Sequence, residues 1–507
     1  MSMENIIVVD VGTSSLKAML YTREGTLLTV ASQKYDSIFG HHNDVEQDPS
    51  TWRLALTYSL SKVGEYVQQH KCDVNAIIVT SQRASIIPVE KHGAPLHNAV
   101  MWQDKRSVGQ CEELLKKISM KDIYHRTGLR ANPYFSSPKM IWLRENKPDI
   151  YNSAYKLLGV QDYVIFLLTR EFVTDSSQAC RTMLMNIKTF QWDDDLLDVS
   201  GISRELLPDI VPSGSQVGKI NSGLASAVGL STKIPVYIGG GDQQCAALSL
   251  GILGTGDAQA NTGTGSFVVV HAESPHFHPE CKTLCSAAAV PGKWIVEAGI
   301  FTTGLLHKWF KDNFYSGTDD DMAYRIMNEE ITAAPVGSNG VLMLPHFEGS
   351  AAPYWNPQAK GLFFNLSMAS KRSDMARSVI EGIALEIGHN LSLVQGLGVP
   401  VNRVSLAGGL TSLEAFNQTQ ADIFKKESIR FENNEASSLG ALMSACVSLG
   451  YYQDYKTAFD NIVTGNPRVY KPIEENVKKY DVLMERKKKL YDALNDGAIY
   501  SLFSSHI

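Results

Sequence analysis

Val236-Tyr237-Ile238-Gly239-Gly240-Gly241-Asp242-Gln243-Gln244 is the stretch on which the reading of this chain turns. The apolar residues read as a buried strand, and three glycines then let the backbone turn with no side chain in the way. One carboxylate, Asp242, stands at the end of that turn, followed by two amides. A carboxylate delivered on a glycine hinge is what a general base for a hydroxyl substrate needs. The same residues also read as an ordinary Gly-rich turn whose Asp caps the following helix, Gln243 to Leu250, because Asp is a favoured N-cap residue. The remainder of the chain decides between the two.

At 507 residues the chain is too long for one hydrophobic core, so two or more domains are expected. Apolar content of 44% and charged content of 20% are those of a soluble globular protein. With 47 basic and 53 acidic residues the net charge is −6 and neither half is strongly basic, which argues against nucleic acid as a partner. Seven scattered cysteines without a C-x-x-C pair point to a reducing cytosol rather than a disulfide framework. Met1-Ser2-Met3-Glu4-Asn5 runs straight into a strand without the pattern of a signal peptide. Nor is there an apolar run long enough to span a bilayer. The expectation is a cytoplasmic protein with no membrane partner.

Ile6 to Tyr21 reads strand, tight turn, strand, with Gly12-Thr13-Ser14-Ser15 at the turn. Backbone N–H groups and short hydroxyls crowded there can form an anion-binding nest, and Asp10 beside it is placed to hold a hydrated Mg²⁺. A Ser/Thr-rich hairpin with no ligand reads the same way. The turn leads into a strand and lacks the Walker pattern, so it is no P-loop, and no G-x-G-x-x-G opens a helix. Strands are expected at Ala76–Thr80 and Ser85–Val89, with Gln82 and Arg83 between them. Trp102, with Gln103, Asp104 and Arg106, offers an apolar platform rimmed by hydrogen-bonding groups, which suits a polyhydroxylated ligand as well as it suits a core tryptophan with a solvated edge. Tyr134 to Leu143 reads as a helix start, Gln161 to Thr169 as a buried helix, and Thr174 to Gln178 as a polar turn.

Gly251 to Gly256 is the best candidate boundary, giving domains 1–250 and 251–507. Beyond it, Thr262-Gly263-Thr264-Gly265-Ser266 feeds an apolar strand just as the first turn does. This internal echo points to a duplicated architecture clamping one anion from both sides. Ser373 is expected to cap a helix that Gly396 and Gly398 stop. Val404 to Gly409 is a further strand ending in glycines, Gly408 and Gly409, where a flat purine ring could approach the backbone closely; close helix–strand packing is the other reading.

In this order the pieces resemble the FGGY carbohydrate kinases, of the actin/hexokinase/Hsp70 superfamily, over nearly the whole chain. Tyr134 to Asn146 matches the first family signature at every defined position. The second runs from Gly361 through Asp374, Met375, Ser378, Val379, Ile380 and Glu381, with Asn365 where a glycine is usual. The resemblance implies an α/β fold of two actin-like (ribonuclease H-like) domains, mixed sheets flanked by helices, with ATP and sugar in the cleft between them. It assigns Asp10 to Mg²⁺, and Thr13, Ser14, Ser15, Lys17, Thr264, Gly265, Gly408 and Gly409 to the nucleotide. Asp242 aligns with the catalytic base. Gln82, Arg83, Trp102, Asp104, Tyr134, Asp242, Gln243 and Phe267 form the expected sugar pocket.

The departures bear on substrate. Glycerol kinases follow the Arg with a Glu that binds glycerol, and here that residue is Ala84. Xylulokinases usually carry Met-His at Gln82-Arg83, and Leu413 stands where glycerol kinases carry Asn. A four- to six-carbon ketose or polyol is expected, xylulose-like substrates ahead of glycerol. The competing class is an actin- or Hsp70-like ATPase with no sugar acceptor, which has no use for Gln82, Arg83, Trp102 and a base. A homodimer is compatible with either.

Overall fold

The structure, a computed structural model, describes residues 4–40, 44–317, 319–432 and 435–503. Met1-Ser2-Met3, read above as leading into the first strand, lies outside them. The architecture is α/β, built on two mixed sheets. The first runs in the order Gln216–Lys219, Pro235–Gly241, Ala76–Ser81, Asn5–Val11, Ser15–Thr22, Leu27–Lys34. Its three central strands are parallel, Val8 pairing Ile78 and Ile78 pairing Tyr237, while the hairpin strands beyond Asn5–Val11 are antiparallel. Such central strands must bury both faces, and the sequence Ile6-Ile7-Val8-Val9 does so. Ile7 and Val9 pack with Trp52, Leu56 and Leu60 of the helix Pro49–His70, and Ile6 and Val8 pack with Ala441, Leu442 and Cys446.

The second sheet repeats the first strand for strand. Trp294–Ile300, Ser266–Ala272 and Gly256–Thr262 are antiparallel neighbours. Val401–Ala407 and Glu427–Arg430 continue in parallel, and Arg468–Tyr470 closes the edge antiparallel. One extra strand, Leu284–Ala287, pairs outside Trp294–Ile300. The echo between the two Gly/Thr/Ser turns is thus the visible part of a repeat of the whole sheet. Val379, Ile380, Ile383 and Ile387 of the helix Arg372–Gln395 cover one face. Among the described residues no helix is long and apolar enough to cross a membrane.

Several local expectations shift. Asp242 is not a helix cap: Gly241 is the N-cap and Asp242 the first residue of the helix Asp242–Ser249. Ser373 is not a cap either: the Asp374 carboxylate folds back to accept from Lys371 N at 2.9 Å, so the cap is Lys371, two residues earlier. Thr174–Gln178 is no simple turn but the end of a strand, Val173–Asp175, followed by one helical turn. The strand expected from Ser85 shortens to Ile87–Val89, since Ala84 lies at φ +66°.

Two helices lie where the halves meet. Asp242–Ser249 leaves the first sheet, and Ala436–Ser448, from beyond residue 251, packs against that same sheet and against Asp242–Ser249. They cross so closely that a Cβ on Gly440 would stand 1.7 Å from the Cys245 carbonyl oxygen. Ser249 Oγ donates to the Ala436 carbonyl at 2.8 Å across the same contact. Backbone cannot yield as a side chain can, so Gly440→Ala is expected to cost at least the ~1–3 kcal/mol of ordinary overpacking. Thermal denaturation beside Gly109→Ala, whose added methyl meets nothing within 4 Å, measures this. Equal melting of both variants and the parent would refute it.

Candidate active site

The glycine turn is shaped by its neighbours. The pairing register slips between Ile238 and Gly240, and Gly240 takes φ +122°, a conformation in which L side chains are strained. A Cβ on Gly241 would stand 2.5 Å from Cδ of Arg83, so only glycine lets that guanidinium pass. Asp242 follows at the positive end of its helix. Its Oδ1 accepts from Gln243 N at 2.7 Å and lies 3.7 Å from Arg83 Nε. Burial pushes this carboxyl above the ordinary aspartate range, against the pull of Arg83 and Arg181. A third of the side chain still opens outward, so the group is deep but reachable. Arg83 is steadied by donating to Gln244 Oε1 at 3.0 Å.

Asp10 is the last residue but one of Asn5–Val11, two strands over from Pro235–Gly241. Burial, then the charges of Asp242 and Glu435, push its carboxyl up to about 7, against a hydrogen bond from Ser438 and the charge of Lys17. Ser438 donates to Asp10 Oδ2 at 3.3 Å, and Lys17 Nζ lies 2.6 Å from Glu435 Oε1. Both partners come from the start of the helix Ala436–Ser448, so the second half of the chain completes the floor under the first turn. That turn is closed by Gly12 N donating to Ser15 O at 3.0 Å, with Ser14 exposed at its tip.

Thr13 joins the turn to the sugar-pocket candidates. Trp102 Nε1 donates to Thr13 Oγ1 at 3.3 Å, and Thr13 Oγ1 in turn donates to Gln82 Oε1 at 3.4 Å. Gln82 Nε2 donates to Gly12 O at 3.2 Å. Gln82 is therefore buried and committed to holding the turn. Trp102 meets Tyr134 edge-on at 5.5 Å, both partly exposed, and Gln243 is partly exposed beside Asp242. Asp104 does not join them: its carboxylate is fully buried, accepting from Val45 N at 2.6 Å and from Arg106 Nε at 2.9 Å. Lys17 is likewise engaged, with Glu435. In the second half, Gly263-Thr264-Gly265 is tied to the start of the helix Gly304–Phe314, Gly304 N donating to Gly263 O and Thr303 N to Thr264 O, each at 3.0 Å. Phe267 pairs with Gly299 on the adjoining strand. Gly408, at φ +93°, sits so close to Thr262 that a Cβ would stand 2.4 Å from its carbonyl oxygen. The exposed Gly408-Gly409 backbone and the second turn are thereby brought side by side.

Three features escaped the sequence. Lys139, inside the first signature, is wholly buried and donates to the carbonyls of Pro133, Tyr134 and Phe135 at 2.7, 2.6 and 3.0 Å, which fixes the loop carrying Tyr134. Burial lowers its pKa to about 7. Arg181 and Glu297 form a buried ion pair at 3.1 Å joining the two halves. Burial would raise the Glu297 carboxyl, but Arg181 and Arg83 hold it below its ordinary range. The Arg181 guanidinium also lies over the rings of Tyr134 and Phe135, at 5.6 and 5.0 Å. The third is a carboxylate beneath the glycine turn, Asp175. Only the position of Lys139 in a signature hinted at any of these.

Comparison with known proteins gives matches along the chain. The model of the FGGY family of carbohydrate kinases, N-terminal domain, matches residues 5–249, and that of the C-terminal domain matches 258–449. The chain is 28% identical over 495 residues to a xylulose kinase of Staphylococcus epidermidis, covering 97% of this chain and 96% of that one. It is 31% identical over 458 residues to a glycerol kinase of Thermococcus onnurineus, covering 88% and 90%. Among solved structures, a gluconate kinase from Lactobacillus acidophilus superposes with a TM-score of 0.91 at 25% identity, over 99% of this chain and 100% of that one.

Proposed function

This chain belongs to the FGGY family of carbohydrate kinases, and we propose that it phosphorylates a hydroxyl of a ketopentose such as xylulose with ATP, Asp242 acting as general base. The observation that carries the reading is the Asp242 carboxylate on its glycine turn, reachable yet deep, beside Asp10 and the hydroxyl-bearing first turn. The sugarless ATPase alternative loses its footing, since both halves match carbohydrate kinases.

A sugar hydroxyl is a poor nucleophile until its proton is accepted, and a positioned base supplies roughly 10²–10⁴-fold. Asp242 takes that proton; burial raises its pKa, which makes it a better acceptor than an ordinary aspartate, and the charge of Arg83 pulls the other way. Thr13, Ser14, Ser15, Thr264 and Gly265 offer hydroxyl and amide donors to the phosphate oxygens, and the Gly408-Gly409 backbone takes the adenosine. Mg²⁺, when bound, neutralises charge on those oxygens. Asp10 fits it, being a hard oxygen donor crowded by the charges of Asp242 and Glu435. Trp102 and Tyr134 present ring faces to the carbon skeleton, and their closure with the second half excludes water.

Ala84 brings no acceptor where glycerol kinases carry Glu, which removes hydrogen bonds to glycerol and leaves space for a longer chain. A coupled assay of ADP release with xylulose, ribulose, erythritol, gluconate and glycerol tests this. Xylulose or another ketopentose is expected to give the highest kcat/KM, and glycerol leading by a wide margin would overturn it. Asp242→Asn is expected to lower kcat by roughly 10²–10⁴-fold while sugar binding survives. In the parent enzyme kcat/KM should fall as pH drops through a midpoint above the ordinary aspartate value of 3.8. An Asp242→Asn variant with most of its activity would remove Asp242 from the role.

A further inference from the structure

The segment Thr174-Asp175-Ser176-Ser177-Gln178 takes no part in the chemistry above, yet it is buried directly under the glycine turn. Asp175 is wholly buried, and each of its partners is a donor. Gln161 Nε2 donates to Oδ1 at 2.8 Å. Ser177 N at 2.9 Å, Ser177 Oγ at 2.6 Å and Ser213 Oγ all donate to Oδ2. An acceptor-only carboxylate is the form that satisfies all four.

That choice fixes the polarity of what lies above it. Ser177 has one hydroxyl proton and gives it to Asp175, so its oxygen is left to accept from Gly241 N, at 2.8 Å. Gln161 turns its amide nitrogen to Asp175, so its carbonyl oxygen accepts from Gly240 N, at 3.2 Å. Two successive N–H groups of the turn are thus each anchored to one carboxylate through a single relay, while Thr80 Oγ1 holds the Gly240 carbonyl at 2.8 Å. A triple-glycine segment with a register slip is the least self-restrained backbone near the site, and Asp242 follows it immediately.

We infer that Asp175 is a positioning residue for phosphoryl transfer: acting through Ser177 and Gln161, it orients the Gly240 and Gly241 amides and so aims the Asp242 carboxylate. The inference rests on Asp242 being the base. An Asn at 175 keeps the shape but adds two donors, which reverses at least one relay and leaves an N–H of the turn facing another donor. Displacements of about 1 Å at a reacting group cost on the order of 10²-fold.

The test uses the full-length enzyme, with Asp175→Asn, Ser177→Ala and Asp242→Asn assayed side by side for kcat, sugar KM and ADP affinity by calorimetry. Asp175→Asn is expected to lose roughly 10–10²-fold in kcat, with sugar KM and ADP affinity close to the parent's. Ser177→Ala, which removes a single hydroxyl, should move in the same direction and carries the test alone if Asp175→Asn fails to fold. Unchanged kcat in the variants, or kcat, KM and ADP affinity deteriorating together, would overturn the positioning role while an inactive Asp242→Asn left the base in place. An active Asp242→Asn would instead remove the base, and the inference with it.

Discussion

The helices Asp242–Ser249 and Ala436–Ser448 cross where no side chain fits, Gly440 lying against the Cys245 carbonyl, and the rest of the site hangs on that contact. One helix begins with Asp242. The other begins at Glu435 and Ser438, which reach Lys17 and Asp10. Pulling the crossing apart by the width of one methyl group would move the second half's residues away from the turn Gly12-Thr13-Ser14-Ser15. The duplicated sheets supply two equivalent sets of strand ends, and this crossing decides how closely one set approaches the other.

Charge is concentrated there at a cost to the folded state. Asp242 and Glu435 both crowd Asp10, and burial raises Asp10 and Asp242. Arg83, Lys17 and the buried Arg181–Glu297 pair counter that charge without cancelling it at Asp10, which remains near 7. Unbalanced negative charge in a deep site favours a cation and a proton, the two things phosphoryl transfer to a hydroxyl has to manage. Sites of this kind commonly sit on strained backbone, and here Gly240 takes the positive-φ conformation while Gly241 leaves room for Arg83.

Much of this was legible in the sequence. A strand broken by three glycines before an acid announced Asp242, and the repeated Gly/Thr/Ser turns announced a duplication that the sheet order makes explicit. What could not be read were partnerships across long separations. Lys17 meets Glu435 418 residues away, and Gly241 meets Ser177 across 64. Gly440 carries no local signal, because its reason is a carbonyl on another element. Gln82 was read as a pocket group through the family resemblance, and Asp104 from its place beside Trp102. The first is turned inward by the Gly12 carbonyl and Thr13, the second by Arg106 and Val45 N, donors and acceptors no local pattern reveals.

The most direct test of the central claim is a crystal structure with a non-hydrolysable ATP analogue, Mg²⁺ and the best sugar substrate. The account predicts that the hydroxyl to be phosphorylated lies within about 2.6–3.2 Å of an Asp242 carboxylate oxygen, on the line to the γ-phosphorus. A sugar whose reactive hydroxyl bonds elsewhere, with Asp242 out of reach and turned to Arg83 alone, would contradict it.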